Sequence, residues 1–405
     1  MQQHLWIINH YAKVDSGRHY ELAKELITVG WKVTVFACKE SESGVKAASD
    51  DKSLLISRKN NYTFIEVPSI SYTGNGFGRL KNMYLFFRNI LKKKTHGLAD
   101  KPDVIIGSSV HPLAGLAGYK LAKKFRVPFV FEVRDLWPQT LIAMGVVSGK
   151  NPISLALKRL EAKLYSKSAL IVSLLPGAHE YISQFGIEPK KVVWISNGIN
   201  LGTRYPPQKI DFETKTGHFK FMYLGAHGQA NDLLNIAEAI KIVSEMDSTA
   251  QFIFVGDGPK KRETIDFFSK NNLLDKNVFF KERVKRSDVP LIAAEADAFI
   301  LSVKDLPNLY AYGISPNKVF EYFACGRPTV AAVNAYNNPV AEESAGITCE
   351  PNSPEELADA MVKLKNMSAS ERFDMAMNGY TAAKTKYSYK QLAGKLDSCL
   401  KSICA

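Results

Sequence analysis

The stretch Gly313 to Val330 (GISPNKVFEYFACGRPTV) concentrates residue types that can hold an anion. Ser315-Pro316-Asn317 predicts a helix start, with Ser315 as N-cap and Pro316 at the first helical position. Backbone N–H groups at such a start are unpaired and carry the positive end of the helix dipole, so they suit a diphosphate. Lys318 adds a formal charge beside them. Glu321, three residues on, shares nearly the same face, where a carboxylate can accept two hydrogen bonds from a ribose diol. A capped helix with a solvated i,i+3 ion pair is the competing reading.

Two further turns have the composition of a phosphate-cradling loop. Leu224-Gly225-Ala226-His227-Gly228 follows an apolar run and precedes a helix starting near Asn231 or Asp232. Val255-Gly256-Asp257-Gly258-Pro259 repeats the arrangement one unit later. Gly225, His227 and Gly256 are the candidate contacts, set against plain βα turns. In the first half, Asp15-Ser16-Gly17-Arg18 opens a helix and makes Gly17 a candidate, without a GxGxxG dinucleotide fingerprint. Glu132, Arg134 and Asp135 put three ionisable residues in four positions at one strand's carboxyl end: a salt-bridge cluster or a substrate contact. His111, after another strand, is a cleft candidate against the commoner structural histidine.

These residues need a scaffold that brings loops together, and the hydrophobic pattern supplies one. Leu5 to Asn9 reads as a buried strand, Tyr20 to Val29 as a helix stopped by Gly30, and Lys32 to Ala37 as the next strand. The rhythm continues through Val104–Ile106, a helix near Leu113 to Phe125, Pro128 to Val133, Ala169 to Leu175 and Val192 to Ile195. It restarts after the polar stretch Asn200 to Gly217 with strands at Phe219–Leu224, Gln251–Val255, Val278–Phe280, Ala298–Val303 and Thr329–Ala332. Strands alternating with helices predict an α/β fold with parallel sheets covered on both faces. The expected division is 1–200, 201–388 and a last helix within 389–405 that packs back on the first domain.

With 405 residues, two domains fit better than one core. Hydrophobic residues at 46% and charged residues at 23% exclude large-scale disorder. The five cysteines are scattered without a CxxC pair, which points away from a disulfide framework or a zinc site. The start of the chain lacks a signal-peptide pattern, and no apolar run approaches the ~18 residues of a membrane span. A formal charge of +13 calls for an anionic partner. Nucleic acid is disfavoured because no reader motif accompanies the charge. Phe77 to Lys94 (FGRLKNMYLFFRNILKKK) interleaves aromatic, aliphatic and basic residues. That pattern suits an anionic membrane interface and equally a core helix with a solvated basic edge.

Taken in order, these motifs resemble the large retaining glycosyltransferase family 4, with the GT-B fold, over almost the whole chain. The markers are the N-terminal strand, glycine loop and helix; Ser196-Asn197-Gly198-Ile199-Asn200; Val255 to Pro259; and the helix carrying Glu321. Glu132 to Pro138 (EVRDLWP), with Ser315 to Lys318, resembles a subgroup that builds bacterial surface polysaccharides, including N-acetylfucosamine transferases for O-antigen or capsule units. The resemblance implies two Rossmann-like domains facing each other across a cleft. It also implies a UDP-sugar donor, no cofactor or metal, and a saccharide acceptor on polyprenyl diphosphate, with the enzyme peripheral at the cytoplasmic side of the membrane.

Departures from the family pattern are specific. The first of its two glutamates is replaced by Gly313, leaving Glu321 as the second. Its early basic pair is missing, since that region reads His227-Gly228-Gln229-Ala230-Asn231. Lys318 is therefore assigned the diphosphate charge, with Arg283 and its neighbour Val284 as further contacts. The family's histidine-aspartate pair is matched by Arg134-Asp135, which with Lys318 form the catalytic candidates. A sugar-nucleotide 2-epimerase or a catalytically silent membrane-binding homologue are the alternative functions on this architecture.

Overall fold

Val-, Ile- and Phe-rich runs alternate with amphipathic helices along the chain, and in the computed structural model they assemble two sheets. Residues 2–39, 54–74, 76–109, 111–202 and 218–404 are described. Most of the expected linker, Asn200 to Gly217, lies outside them, as does Val110 beside His111. One compact unit comprises Met1–Ser196 with Tyr389–Ala405, and the other Asn197–Ser388.

The first unit holds β1 (His4–Ile8), β2 (Lys32–Cys38), β3 (Leu55–Lys59), β4 (Tyr62–Val67), β5 (Val104–Ser109), β6 (Phe129–Val133), β7 (Leu170–Ser173) and β8 (Val192–Trp194). Their order is β3-β4-β2-β1-β5-β6-β7-β8. The sheet is not wholly parallel, as the sequence pattern suggested: β3 pairs antiparallel with β4 across the Asn60-Asn61 turn, where Asn60 takes φ 49°. Because successive strand residues alternate faces, Leu5, Ile7, Val33 and Val35 pack on Leu22 and Leu26 of the Arg18–Thr28 helix. The Tyr389–Cys404 helix joins the same cluster through Leu392, Leu396 and Leu400, and Asp397 accepts from Trp31 Nε1 at 2.7 Å. Each such buried leucine contributes about 2 kcal/mol, enough to dock the C-terminal helix on this unit.

The other face takes the Phe77–Ile90, Pro112–Phe125 and Pro152–Lys167 helices. Phe129 meets Tyr119, and Phe131 meets Tyr165, at 5.8 and 5.7 Å between ring centroids. The Pro112–Phe125 helix lies so close to β5 that a Cβ on Gly107 would stand 2.9 Å from the Gly115 Cα.

The second unit orders β9 (Phe219–Leu224), β10 (Ala250–Val255), β11 (Val278–Lys281), β12 (Ala298–Ser302), β13 (Thr329–Ala332) and β14 (Gly346–Cys349) as β11-β10-β9-β12-β13-β14. All its pairings are parallel. Renumbered within the unit, this is the 3-2-1-4-5-6 order of a doubly wound nucleotide-binding sheet. Among the described residues no helix is long and apolar enough to cross a membrane.

Candidate functional site

In the second sheet the strand order reverses between β9 and β12, and ligands bind beyond the strand ends at such a point. The turns after β9 and β10 interlock there. Gly225 N donates to Val255 O at 3.0 Å, His227 N to Asp257 O at 2.8 Å, and Lys260 N to His227 O at 3.0 Å. A Cβ on Gly256 (φ +140°) would collide with the Gly225 carbonyl, and one on Gly258 would lie 2.6 Å from the His227 carbonyl oxygen. Glycine is needed because backbone packs directly on backbone.

These turns wall a cavity of about 340 Å³ lined by Gly225, Ala226, Gly256, Asp257, Arg283, Val284 and Glu321, among others. Five predicted site residues (Gly225, Gly256, Arg283, Val284 and Glu321) therefore meet in one place. Glu321 is fixed through the next residue on its helix, Asn317–Ala324. The Tyr322 hydroxyl donates to Leu224 O at 2.9 Å and accepts from Leu224 N at 3.1 Å, while its ring stacks on Phe299 at 4.1 Å.

Lys318 stands behind the Gly225–Ala226 wall. Its Nζ donates to Tyr223 Oη at 2.9 Å and to Asn231 Oδ1 at 2.6 Å. Both partners in turn donate to Ala226 O, at 2.7 and 2.8 Å. A Cβ on Gly225, which lines the cavity, would sit 3.5 Å from Lys318 Cε, so the lysine side chain runs alongside that wall residue. Burial brings its pKa down to about 7. Its charge therefore depends on what occupies the neighbouring space.

Two assignments in this unit are corrected. Ser315 does not cap the helix: Pro316 occupies the cap position and Asn317 opens the helix. The Ser315 hydroxyl accepts instead from Asn197 N at 2.8 Å, and the Ser315 carbonyl from Asn197 Nδ2 at 2.8 Å, so the motif around Asn197 anchors this segment. His227 is fully buried with its ring among Tyr223, Phe254 and Phe280, and it does not line the cavity. Burial lowers its pKa to about 4, keeping the imidazole neutral. Gly313 takes φ +105°, a conformation in which a glutamate would be strained.

In the first unit, Glu132 takes the salt-bridge alternative of the two its spacing leaves open. It is 3% exposed, and its two oxygens accept from Arg18 Nε at 2.9 Å and His19 Nε2 at 2.7 Å. Asn9 Nδ2 donates to His19 Nδ1 at 2.8 Å, which leaves the imidazole proton on the nitrogen facing Glu132. Arg18 also donates to the carbonyls of Ile195 and Ser196. Burial alone would raise the Glu132 pKa; His19 and Arg18 together hold it well below the usual carboxylate range. Gly17, at φ +85°, precedes the helix whose first residue is Arg18. Arg134 is half-buried, its amide donating to Ser109 Oγ at 3.2 Å, and Asp135 is exposed.

The first sheet reverses order between β1 and β5, and a histidine follows each strand. His10 and His111 stand edge to face at 4.7 Å, with Tyr11 at 4.6 Å from His10 and 6.2 Å from His111. Both are buried, and neither His111 ring nitrogen has a hydrogen-bond partner among the described residues. Burial lowers both pKa values, that of His10 to about 4.

Local spacing missed Tyr223, Asn231, Arg18 and His19. Arg18 meets Glu132 across 114 positions, which no short window can show. Asn231 lies 87 positions from Lys318, so no local window reports their contact.

Residues 18–203 match the family model Glycosyltransferase Family 4, and residues 218–366 match Glycosyl transferases group 1. A probable glycosyltransferase of Pseudomonas aeruginosa, WbjE, is 22% identical over 70% of this chain and 70% of its own length. Among solved structures, sucrose-phosphate synthase from Thermosynechococcus elongatus superposes with TM-score 0.76 at 16% identity, over 99% of this chain and 98% of its own. Anabaena HepE, solved in complex with UDP and glucose, superposes with TM-score 0.69 at 16% identity, over 99% and 100%.

Proposed function

For a chain that is a family 4-like glycosyltransferase with the GT-B fold, we propose that the second unit binds a UDP-sugar and the first presents a lipid-linked saccharide acceptor. The observation that carries the donor reading is the meeting of Glu321 with the two glycine turns around one cavity at the sheet's switch point. In this reading the ribose diol donates to Glu321, the base lies toward Arg283 and Val284, and the diphosphate lies along Gly225 and Gly256. Lys318 balances the diphosphate charge, with Arg283 assisting. HepE, solved with UDP and glucose, supports UDP as the nucleotide.

The reaction is written as retaining transfer. The acceptor hydroxyl oxygen bonds to the anomeric carbon on the face the leaving group departs from, as the anomeric carbon–phosphate oxygen bond breaks. The hydroxyl proton passes to an oxygen of the leaving diphosphate. Fixed positive charge and backbone dipoles on that diphosphate supply the stabilisation. No protein nucleophile is required, and turnover proceeds in chelator.

The acceptor is read as a saccharide on polyprenyl diphosphate, used for bacterial surface polysaccharide, and the donor sugar as a deoxy or N-acetylated hexose such as N-acetylfucosamine. Gly313 supports the sugar assignment, because it removes an acidic partner for a hydroxyl. His111, Arg134 and Asp135 are the proposed contacts on the acceptor side. Incubation with a panel of UDP-sugars and a lipid-diphosphate-sugar acceptor tests the whole reading. UDP release coupled to a new glycolipid is expected; interconversion of UDP-sugars without acceptor, or no turnover with any donor, contradicts it.

A further inference from the structure

Between β12 and the Asn317–Ala324 helix, residues 303–316 contain only one short helix, Pro307–Tyr310, to shape the chain. The last three residues before Pro316 are held instead by two asparagine side chains. Asn337, in the loop after β13, takes both polar main-chain groups of Ile314. Its Oδ1 accepts from Ile314 N at 2.7 Å, and its Nδ2 donates to Ile314 O at 3.1 Å. A carboxamide carries the same donor–acceptor pair as a peptide, so Asn337 binds Ile314 as a neighbouring strand would. The join extends one step back, where Tyr310 O accepts from Gly313 N at 2.9 Å and from Tyr336 N at 2.8 Å. One residue on, Asn197 holds Ser315 through its hydroxyl and its carbonyl. Asn337 is 5% exposed and Ile314 7%, so water does not compete for these bonds.

The groups left over define what this loop can offer a ligand. Among the described residues, the Gly313 carbonyl accepts no hydrogen bond, and the Ser315, Asn317 and Lys318 amides donate none. Their place along the helix matters. Glu321 lines the cavity, and Lys318 lies nearer the helix start, beside the Gly225 wall. Asn317 is ~6 Å from Glu321 along the axis, and residues 313–315 lie beyond it. A UDP-sugar laid with its ribose on Glu321 and its diphosphate at Gly225 therefore carries its sugar toward this loop.

We propose that Asn337 is a specificity-determining positioning residue for the donor sugar. It fixes the Gly313 carbonyl and the Ser315 amide so that a sugar hydroxyl or acetamido group pairs with them. The inference rests on the UDP-sugar reading of the cavity. Gly313 brings no side chain, so selection at this position falls to backbone, and backbone selects only where it is rigid. A fixed carbonyl and amide reject a sugar that leaves them unpaired, whereas a mobile loop would follow any sugar.

Full-length wild type, Asn337→Asp and Asn337→Ala are titrated calorimetrically with UDP, UDP-glucose, UDP-galactose and UDP-N-acetylglucosamine. Aspartate keeps the acceptor for Ile314 N but sets a second oxygen against Ile314 O; alanine removes both partners. Wild type should separate its tightest from its weakest sugar by at least about tenfold. In the Asn337 variants that spread should fall below about threefold, with UDP bound as in wild type. Asn338→Ala, which removes the side-chain cap of the Pro339–Glu342 helix, should lower the melting temperature and keep the full spread. An unchanged spread in an Asn337 variant that still binds UDP overturns the proposal. Equal loss of UDP and UDP-sugar affinity also overturns it and makes Asn337 a scaffold residue. So does a wild type that binds UDP without distinguishing the sugars. A wild type that binds neither UDP nor any UDP-sugar sinks the donor reading itself, and this inference with it.

Discussion

Lys318 Nζ donates to Asn231 Oδ1 at 2.6 Å across 87 positions of sequence, and Asn231 in turn donates to the carbonyl of Ala226 in the cavity wall. The amine is thus held against the loop that replaces the family's missing basic pair. Asn231→Ala is expected to weaken UDP-sugar binding about tenfold, the scale of one hydrogen bond to a charged group. Calorimetric titration of donor into wild type and variant checks it, and an unchanged Kd contradicts the positioning role.

A pH dependence follows from the same amine. Burial brings Lys318 to about 7, so the free protein carries an ammonium below that value and a neutral amine above it. A nucleotide-sugar diphosphate favours the ammonium, so donor affinity should be highest on the acid side and fall as pH rises through about 7, with a proton taken up on binding. Calorimetry near pH ~8 in two buffers of different ionisation heat should show that uptake in wild type and not in Lys318→Met. Affinity that rises with pH would contradict the assignment.

The interlocked turns leave no room for a side chain at Gly256. Gly256→Ala should force the two turns apart and lower donor affinity by at least about tenfold, roughly 1.4 kcal/mol. Donor affinity equal to wild type would show that the cavity wall is not the nucleotide contact.

Glu132 is expected to matter through stability. Replacing it with glutamine leaves Arg18 buried without its carboxylate, which costs about 3 kcal/mol. Its folded-state carboxyl is held well below the usual range. The stabilisation is therefore complete above the unfolded pKa of about 4.3 and is lost as pH falls through the folded value. Urea unfolding of Glu132→Gln should show reduced stability near neutral pH and a flatter acid limb. A stable variant with impaired transfer would return Glu132 to the substrate.

Much of the scaffold is legible in sequence because buried parallel strands are short apolar runs bounded by turn residues. Phe219–Leu224 is read residue for residue, and Lys32–Cys38 differs by one. β3 is hidden because it is an exposed edge strand, every residue facing solvent, with no hydrophobic alternation to report it. Its Asn60-Asn61 turn was the available signal. Gly225 and Gly256 are legible because each directly follows a strand, and Glu321 because it lies one turn into a helix whose start is marked by Pro316-Asn317. Ser315 was misassigned because its hydroxyl is taken by Asn197, a partner 118 positions away. For Glu132 local spacing leaves a salt-bridge cluster and a substrate contact both open, because its partners Arg18 and His19 come from the start of a distant helix.

In the proposed donor complex, Glu321 holds the ribose of a UDP-sugar in the second unit. Binding of UDP-glucose and its 2′-deoxyribose analogue should be compared calorimetrically in wild type and Glu321→Ala. Removing the hydroxyl should weaken binding at least about tenfold in wild type and hardly at all in the variant, the two losses being one interaction. Equal losses in both proteins, or donor binding by Glu321→Ala as tight as wild type, would contradict it.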